Sequence, residues 1–428
     1  MFKLFIRIKL EGYVKRYLKR HPEVKLIIVV GSVGKTSTKS AIGTVLKQKF
    51  RVRVHEGNHN AELSAPLAIL GIDYPENLRS IKTWVRIFAS AKQRIKRPAD
   101  VDVIVQEVGS DRIGQVPHFG TYARPDIAVV TAISPEHMEY FKTMDAVASE
   151  ELSVVKYSNQ VFLNLDDIDS KYTSDIDKGN VSTYGEADTA DYRFIKSDFS
   201  IESGFSGEFR GKGTTESIHA RLRVIGEHSI SAAVAAGAVG VKLGMSQDEI
   251  KRGLDEIRAV NGRMSLLSGI RQSMLIDDSY NSSPLAVSWA LDTLYSLDTP
   301  QKIAVLGSMN ELGESSVDEH RKLGNLCDPT QLDIVITVGK EAQEYIASVA
   351  EEKGCKVKSF KTSPEAGEFL TEILKPGAIV LFKGSGESIF LEETIKKVLK
   401  NPDDAQKLVR QSSDWMSRKN KFFESNQK

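Results

Sequence analysis

The stretch Gly31-Ser32-Val33-Gly34-Lys35-Thr36, with Ser37 following, sets two glycines, a lysine and hydroxyls between an apolar run and an amphipathic one. Glycines let backbone N–H groups turn inward around phosphate oxygens, and the N-terminus of a following helix adds partial positive charge. In such a cradle Lys35 neutralises the β- and γ-phosphates while the Thr36 hydroxyl ligates Mg²⁺. A full P-loop carries a further glycine where Val29 stands, so this is a shortened GxxGKT form. A mere glycine-rich turn would leave Lys35 and Thr36 unexplained. The pattern therefore reads as a nucleotide-phosphate site.

A phosphate cradle alone serves ATPases, kinases and ligases, and acids and histidines downstream must separate them. Glu107, in Val105-Gln106-Glu107-Val108-Gly109, closes an apolar run, where a carboxylate would meet the metal at the phosphates. His137 follows the apolar run 126–132 at its C-terminal end. In doubly wound sheets those strand ends form the ligand crevice. A lone Glu or His in a loop is usually just solvated. Two of them at strand ends beside a P-loop point to a metal site. Asp277-Asp278, after another apolar run, reads either as part of such a site or as a solvated strand-end turn.

Short apolar strands alternating with amphipathic helices must position these groups, the signature of a parallel sheet covered on both faces. Residues 24–30, 101–105, 126–132 and 160–163 read as strands, and 36–50 as the helix after the cradle. Residues 183–224 change to Thr, Ser and Gly with alternating apolar positions, which predicts a small antiparallel section. The Ala/Val/Gly-rich stretch 229–243 reads as a closely packed helix. A second αβ series restarts with 273–276, 302–306, 334–338 and 379–382. The fold class is α/β: a P-loop central ATPase domain with a parallel sheet, plus a C-terminal Rossmann-like αβ domain. The expected limits are a basic N-terminal helix over 1–23, the ATP-binding domain over 24–260 and the second αβ domain over 261–428.

The 428 residues, 41% hydrophobic and 27% charged, suffice for two or three packed domains. A net charge of +1 argues against a protein built around a nucleic-acid surface. Cys327 and Cys355 lack any CxxC spacing, which fits a reducing, cytoplasmic compartment. The near-neutral total hides one asymmetry: residues 1–20 hold seven basic side chains and one acid, Glu11, for a local charge of +6. Apolar residues interleave with them. Two readings stay open: a basic amphipathic helix in peripheral contact with the inner face of the membrane, or a helix packed on the first domain with its basic edge in water.

Over residues 24–400 the chain resembles the Mur ligases, the ATP-dependent amide-forming enzymes of peptidoglycan synthesis, and most the MurF type that adds D-alanyl-D-alanine. The ordered motifs are Gly31–Thr36, Asn58-His59-Asn60 with Pro66-Leu67, Glu107-Val108-Gly109, His137-Met138-Glu139, Gly226-Glu227-His228 and Gly262-Arg263-Met264. They continue with Asp277-Asp278-Ser279-Tyr280-Asn281-Ser282-Ser283-Pro284, Leu306–Gly313 with His320, and Lys383-Gly384-Ser385. The resemblance implies a substrate carboxylate attacking the γ-phosphate of ATP, then an amine displacing phosphate from the acyl phosphate. It places Lys35, Glu107, His137 and Lys383 among the catalytic groups. Thr36, Glu107 and His137 become Mg²⁺ ligands, and Gly31, Ser32, Val33, Gly34, Lys35, Thr36, Ser37, Arg263, Asp278 and Asn281 become nucleotide contacts. The nucleotide is then expected between two domains, with Lys383 and the 309–313 loop toward the amine.

Four departures qualify that picture. A family lysine that becomes carbamylated falls, fourteen residues after His137, on Glu151, which is expected to supply the metal-site carboxylate directly. A family asparagine that contacts adenine is Ala232 here. Gly386-Glu387 follows Lys383-Gly384-Ser385 where an arginine is common. Only 30 residues precede Gly31, so the MurF-type domain that grips the UDP end of the acceptor is expected to be lacking. The expected partners are a small-molecule or lipid-linked peptide precursor and an amino acid or dipeptide, with no nucleic acid. The alternatives are a cyanophycin- or folylpolyglutamate-type ligase, a simple phosphotransferase or ATPase, and a non-catalytic nucleotide-binding regulator.

Overall fold

A computed structural model describes residues 2–426 apart from Glu56, Asn58 and His59. Asn58 and His59 of the Asn-His-Asn motif thus lie outside the described residues. The chain forms two compact units. One takes the chain up to Ser134 with Tyr140–Arg223 and Ser229–Arg258; the other takes Pro135–Glu139, Val224–His228 and everything from Ala259 onward.

In the first unit β1 (Lys25–Val30) is a run of aliphatic residues buried along nearly its whole length, as a strand covered on both faces must be. With β2 (Val52–Val54), β3 (Val103–Glu107), β4 (Ile127–Val130), β5 (Gln160–Asn164), β6 (Val181–Tyr184), β7 (Tyr192–Ser200), β8 (Gly204–Gly211) and β9 (Ile218–Leu222) it forms one sheet. Its order among the described residues is β2-β3-β1-β4-β5-β6-β7-β8-β9. Pairings from β2 to β7 are parallel, while β7-β8-β9 pair antiparallel. The antiparallel section read from the Thr/Ser/Gly composition is therefore the far edge of this sheet. Short β2, β6 and the two edge strands of the second unit, 265–268 and 357–360, were not legible, because their half-exposed residues do not make the continuous apolar run that marks β1, β3 and β4.

Register decides where chemistry can gather. Val29 of β1 lies beside Glu107 at the end of β3, and Val30 beside Val130 at the end of β4. Glu107 and the turn after β4 therefore flank the segment that leaves β1. There α2 (Lys35–Leu46) begins, and it buries Thr38, Lys39, Ile42, Val45 and Leu46.

The basic N-terminal segment is a single helix, α1 (Phe2–Arg20). It buries Ile6, Leu10, Tyr13, Val14 and Tyr17, so the packed-helix reading holds for one face. Ile6 and Leu10 share a cluster with Leu63 and Leu67, of which Leu67 lies on α3 (Ser64–Leu70), and with Trp84 and Ile87 of α4 (Ile81–Lys96). Ser80 starts α4 by accepting the Thr83 N–H at 3.3 Å, and Arg97, preceding Pro98, leaves helical geometry and ends it.

The second unit is a six-stranded sheet of order β10-β11-β15-β12-β13-β14 among the described residues. These are β10 (Ser265–Ser268), β11 (Met274–Asp278), β12 (Lys302–Gly307), β13 (Ile334–Val338), β14 (Val357–Phe360) and β15 (Ile379–Lys383). Only β10–β11 pairs antiparallel. Leu275, Val305, Ile336, Val380 and Phe382 form its core. Asp278 of β11 and Lys383 of β15 are register partners, so the two charges end adjacent parallel strands.

Candidate active site

The loop after β1 is built as an anion cradle. Gly31 has φ 123° and Gly34 φ 85°, the latter directly before α2. A Cβ on Gly31 would lie 2.4 Å from the Thr131 hydroxyl, so only glycine fits against the turn after β4. That turn holds the loop in place: Ser32 N donates to Ala132 O at 2.9 Å, and the Thr131 hydroxyl donates to Val33 O at 2.6 Å. Ser32 Oγ accepts the Ser134 N–H at 2.9 Å. Lys35 Nζ donates to Gly31 O, and to Ser32 O at 3.0 Å, which folds the ammonium back over the loop. Ser37 sits half-buried in the first turn of α2.

Glu107 is buried and uses both oxygens. Oε2 accepts the Thr36 hydroxyl at 3.0 Å and lies 3.5 Å from Lys39 Nζ, while Oε1 accepts Asn60 Nδ2 at 3.2 Å. Lys39, which sequence reasoning passed over, supplies the positive charge a carboxylate at this depth requires. Its signal was a lysine one turn along the helix from Lys35.

The paired acids 150 and 151 do different things. Glu151 Oε2 accepts the Gly31 N–H at 2.7 Å, placing a buried carboxylate on the cradle itself. Glu150 instead accepts the N–H groups of Gly114 and Val116 at 2.7 and 2.8 Å, tying the start of α5 (Gln115–Tyr122). Nothing in two adjacent glutamates says which will face which way; the helical turn decides it.

A cavity of about 340 Å³ opens beside this cluster and is lined by Arg7, Glu11, Asn60, Glu62, Arg112 and His118 among others. Arg7 Nη1 lies 3.1 Å from Glu62, and His118 Nε2 lies 2.8 Å from Glu11. Gly109 forms part of the wall, where a Cβ would approach Asn60 Nδ2 to 2.7 Å. Asn60 thus belongs both to the cavity and to Glu107. The contribution of α1 to this wall was invisible in sequence, because Arg7 and Glu11 carry no motif.

His137 lies in the second unit. It adopts φ 50°, and its Nδ1 is 2.8 Å from Oε2 of Glu311, itself at φ 64°. Glu139 N also donates to Glu311 O at 3.3 Å, so this short segment is held by the 309–313 loop. The hydrogen bond from His137 holds the Glu311 carboxyl below its ordinary value. Among the described residues no group of three or more His, Cys, Asp or Glu is arranged to hold a metal. Mg²⁺, however, is commonly held by one or two carboxylates together with phosphate oxygens and water. The Thr36 hydroxyl and Glu107 are hard oxygen donors that fit that pattern. Glu151 fits it too, since a carboxylate and phosphates at one loop need a cation between them.

In the second unit Lys383 Nζ lies 2.9 Å from Asp278, both buried at the ends of β15 and β11, and donates to Asn281 O at 2.6 Å. Burial pushes the Lys383 ammonium down, against the pull of Asp278. Asp277 turns the other way, accepting from Ser279 N and Oγ at 3.1 and 2.6 Å; burial pushes it up to about 6. Arg263 lies over the Tyr280 ring at 4.3 Å. His228 stacks on Trp289 with ring centroids 5.0 Å apart, and burial pushes its imidazole down to about 4. His320 Nε2 accepts the Met309 N–H at 2.9 Å, fixing the tautomer with the proton on Nδ1 toward Ser316 O. Ala232 is buried on the helix that starts at His228.

A parallel sheet with a glycine-lysine-threonine cradle at its strand ends, followed by a second αβ unit, defines a P-loop protein of two parts. Its relatives are consistent with that architecture. The family model for the Mur ligase middle domain matches residues 29–240, and that for the Mur ligase glutamate ligase domain matches residues 262–386. The UDP-N-acetylmuramoyl-tripeptide–D-alanyl-D-alanine ligase of Bacillus subtilis is 27% identical over 92% of this chain and 79% of its own length. That of Escherichia coli is 26% identical over 77% of this chain and 68% of its own. The crystal structure of MurF from Acinetobacter baumannii superposes with a TM-score of 0.76 at 24% identity, covering 91% of this chain and 79% of that one. MurF from Thermotoga maritima in complex with ADP gives 0.74 at 23% identity, covering 93% and 84%. The chain belongs to the Mur ligase family and is an ATP-dependent peptide ligase.

Two outcomes follow from this geometry. Gly31→Ala, forced against Thr131, is expected to weaken ADP and ATP binding at least tenfold in calorimetric titration, with the overall circular dichroism spectrum retained. For His228 the folded value of about 4 lies below the ordinary 6.5, so the unfolded chain takes up a proton first. Its contribution is complete above about pH 6.5 and is lost as pH falls toward 4. Denaturation across that window should show His228→Phe, which keeps the stack on Trp289, losing roughly 1–3 kcal/mol less than the wild type.

Proposed function

We propose that this enzyme is a MurF-type ligase that joins the carboxylate of a peptide precursor to the amine of an amino acid or dipeptide through an acyl phosphate. The observation that carries the reading is Glu107. One oxygen takes the Thr36 hydroxyl at the cradle and the other takes Asn60, which lines the neighbouring cavity. A phosphate donor and a carboxylate acceptor have adjoining places in one unit.

In the proposed reaction an acceptor carboxylate oxygen attacks the γ-phosphorus of ATP, and ADP leaves. The amine nitrogen then attacks the acyl carbon, the C–N bond forms, inorganic phosphate departs and the nitrogen gives up its proton. Two anions must approach in the first step, so the site has to spread charge over the transferring group. Lys35 and the N–H groups of the cradle would do so from this chain. Mg²⁺, held by Thr36, Glu107 and Glu151 together with the phosphates, would screen the same charge. Ion-paired Lys383 would hold the 278–281 loop in shape. His137 would act from its place beside Glu311.

The cavity at α1 is assigned to the acceptor. Arg7 and Arg112 offer cations to carboxylates of a peptide, and Glu11 and Glu62 keep Arg7 oriented. In contrast to a regulator or simple ATPase, phosphate release from ATP should require both an acceptor carboxylate and an amine. Release indifferent to either would overturn the ligase chemistry for this chain.

Glu151→Gln keeps an acceptor for the Gly31 N–H but removes the charge. Amide formation is expected to fall roughly 10- to 100-fold with the fold intact, and full activity in that variant would sink the role given to Glu151. Arg7→Ala should raise the acceptor KM roughly tenfold with kcat and the ATP KM nearly unchanged. An unchanged acceptor KM would place the acceptor elsewhere.

A further inference from the structure

The helix α1 buries one face, and its opposite face divides along its length. Leu4, Phe5 and Ile8 of the first two turns are 49, 52 and 57% exposed, and Phe2 beside them is 46% exposed. Gly12 leaves that face without a side chain in the next turn. Lys15, Arg16 and Lys19 then continue the same stripe at helical spacing, all exposed, with Lys9 and Arg20 flanking it. The one acid of the helix, Glu11, faces Arg7 and His118 instead.

The neighbouring α4 repeats the pattern at its own start. Ile81 and Val85 are 70 and 62% exposed, one turn apart, with Lys82 and Arg86 exposed beside them. Ile6 and Leu10 share a cluster with Trp84 and Ile87, so the N-terminal turns of the two helices lie against each other. Six large apolar side chains are thus presented from two packed helices, with ten exposed basic groups on the same two elements. A monomer in water gains nothing from such a cluster. Apolar residues ringed by Lys and Arg are the composition of a surface that rests in an anionic lipid interface. Among the described residues no helix is long and apolar enough to cross a membrane, so the contact would be peripheral.

We propose that the first turns of α1 and α4 form a docking surface for an anionic lipid bilayer, with Phe2, Leu4, Phe5, Ile8, Ile81 and Val85 entering the headgroup boundary and the flanking Lys and Arg meeting lipid phosphates. The surface adjoins the cavity to which α1 contributes Arg7 and Glu11, so an acceptor carried on a lipid would arrive from this side. Docking itself does not depend on the acceptor assignment, because it requires neither ATP nor substrate.

The test is flotation of the full chain with vesicles of phosphatidylcholine alone or with a third phosphatidylglycerol, in low and high salt. Binding is expected to the anionic vesicles, to weaken at least tenfold in high salt, and to be much poorer on phosphatidylcholine. A Phe5→Ser, Ile8→Ser, Ile81→Ser triple variant should lose at least tenfold in partitioning. These side chains are half or more exposed, so its melting temperature and its substrate-dependent phosphate release in detergent-free buffer should match the wild type. Equal flotation of wild type and variant, or no flotation of the wild type, would overturn the proposal. So would a lipid-independent dimer that the same substitutions dissociate, since the cluster would then be covered by a second copy of this chain.

Discussion

The pairing of Val29 with Glu107 in adjacent parallel strands is the constraint on which the cluster around the glycine loop depends. It brings a strand-end carboxylate alongside the phosphate loop without any contact between the loop and its partner having to be specified in sequence. From there Glu107 reaches Thr36, Lys39 and Asn60 at once. A carboxylate this deeply buried is costly unless paired and hydrogen-bonded, and these three groups supply both conditions. Shifting β3 by one residue would turn Glu107 to the other face and separate the cradle from the cavity wall.

The same logic recurs in the second unit with the signs exchanged. Asp278 and Lys383 are register partners at the ends of β11 and β15, and their contact orders the loop through Asn281 O. Asp277, one residue earlier, necessarily faces the opposite side of the sheet and is satisfied locally by Ser279. A two-residue acidic motif is thus divided by strand geometry into an ion-paired member and a hydrogen-bonded one. The helical pair Glu150 and Glu151 is divided in the same manner by the turn of its helix, one acid to the 114–116 backbone and one to Gly31.

The N-terminal helix joins three roles on nineteen residues. Ile6 and Leu10 anchor it, Arg7 and Glu11 form cavity wall, and Leu4, Phe5 and Ile8 remain on the surface. Interleaved charges and apolar residues in the sequence allowed either a packed helix or an interfacial one. Packing against α3 and α4 satisfies one stripe, and the opposite stripe stays exposed.

Composition, the alternation of apolar runs and the Gly31–Thr36 spacing were enough to determine the α/β class, the phosphate cradle and the antiparallel edge of the first sheet. Those are local properties: a cradle is made by consecutive residues, and a strand buried on both faces must be continuously apolar. The partners of the cradle were another matter. Lys39, Asn60, Thr131 and the choice of Glu151 over Glu150 depend on register and helical phase, and Arg7 and Glu11 depend on where α1 docks. His137 reads in sequence as a strand-end group, and its partner Glu311, 174 positions further on, is visible only in the packed chain. Such contacts join residues tens to hundreds of positions apart, and only the packed sheet and helices bring them within hydrogen-bonding distance.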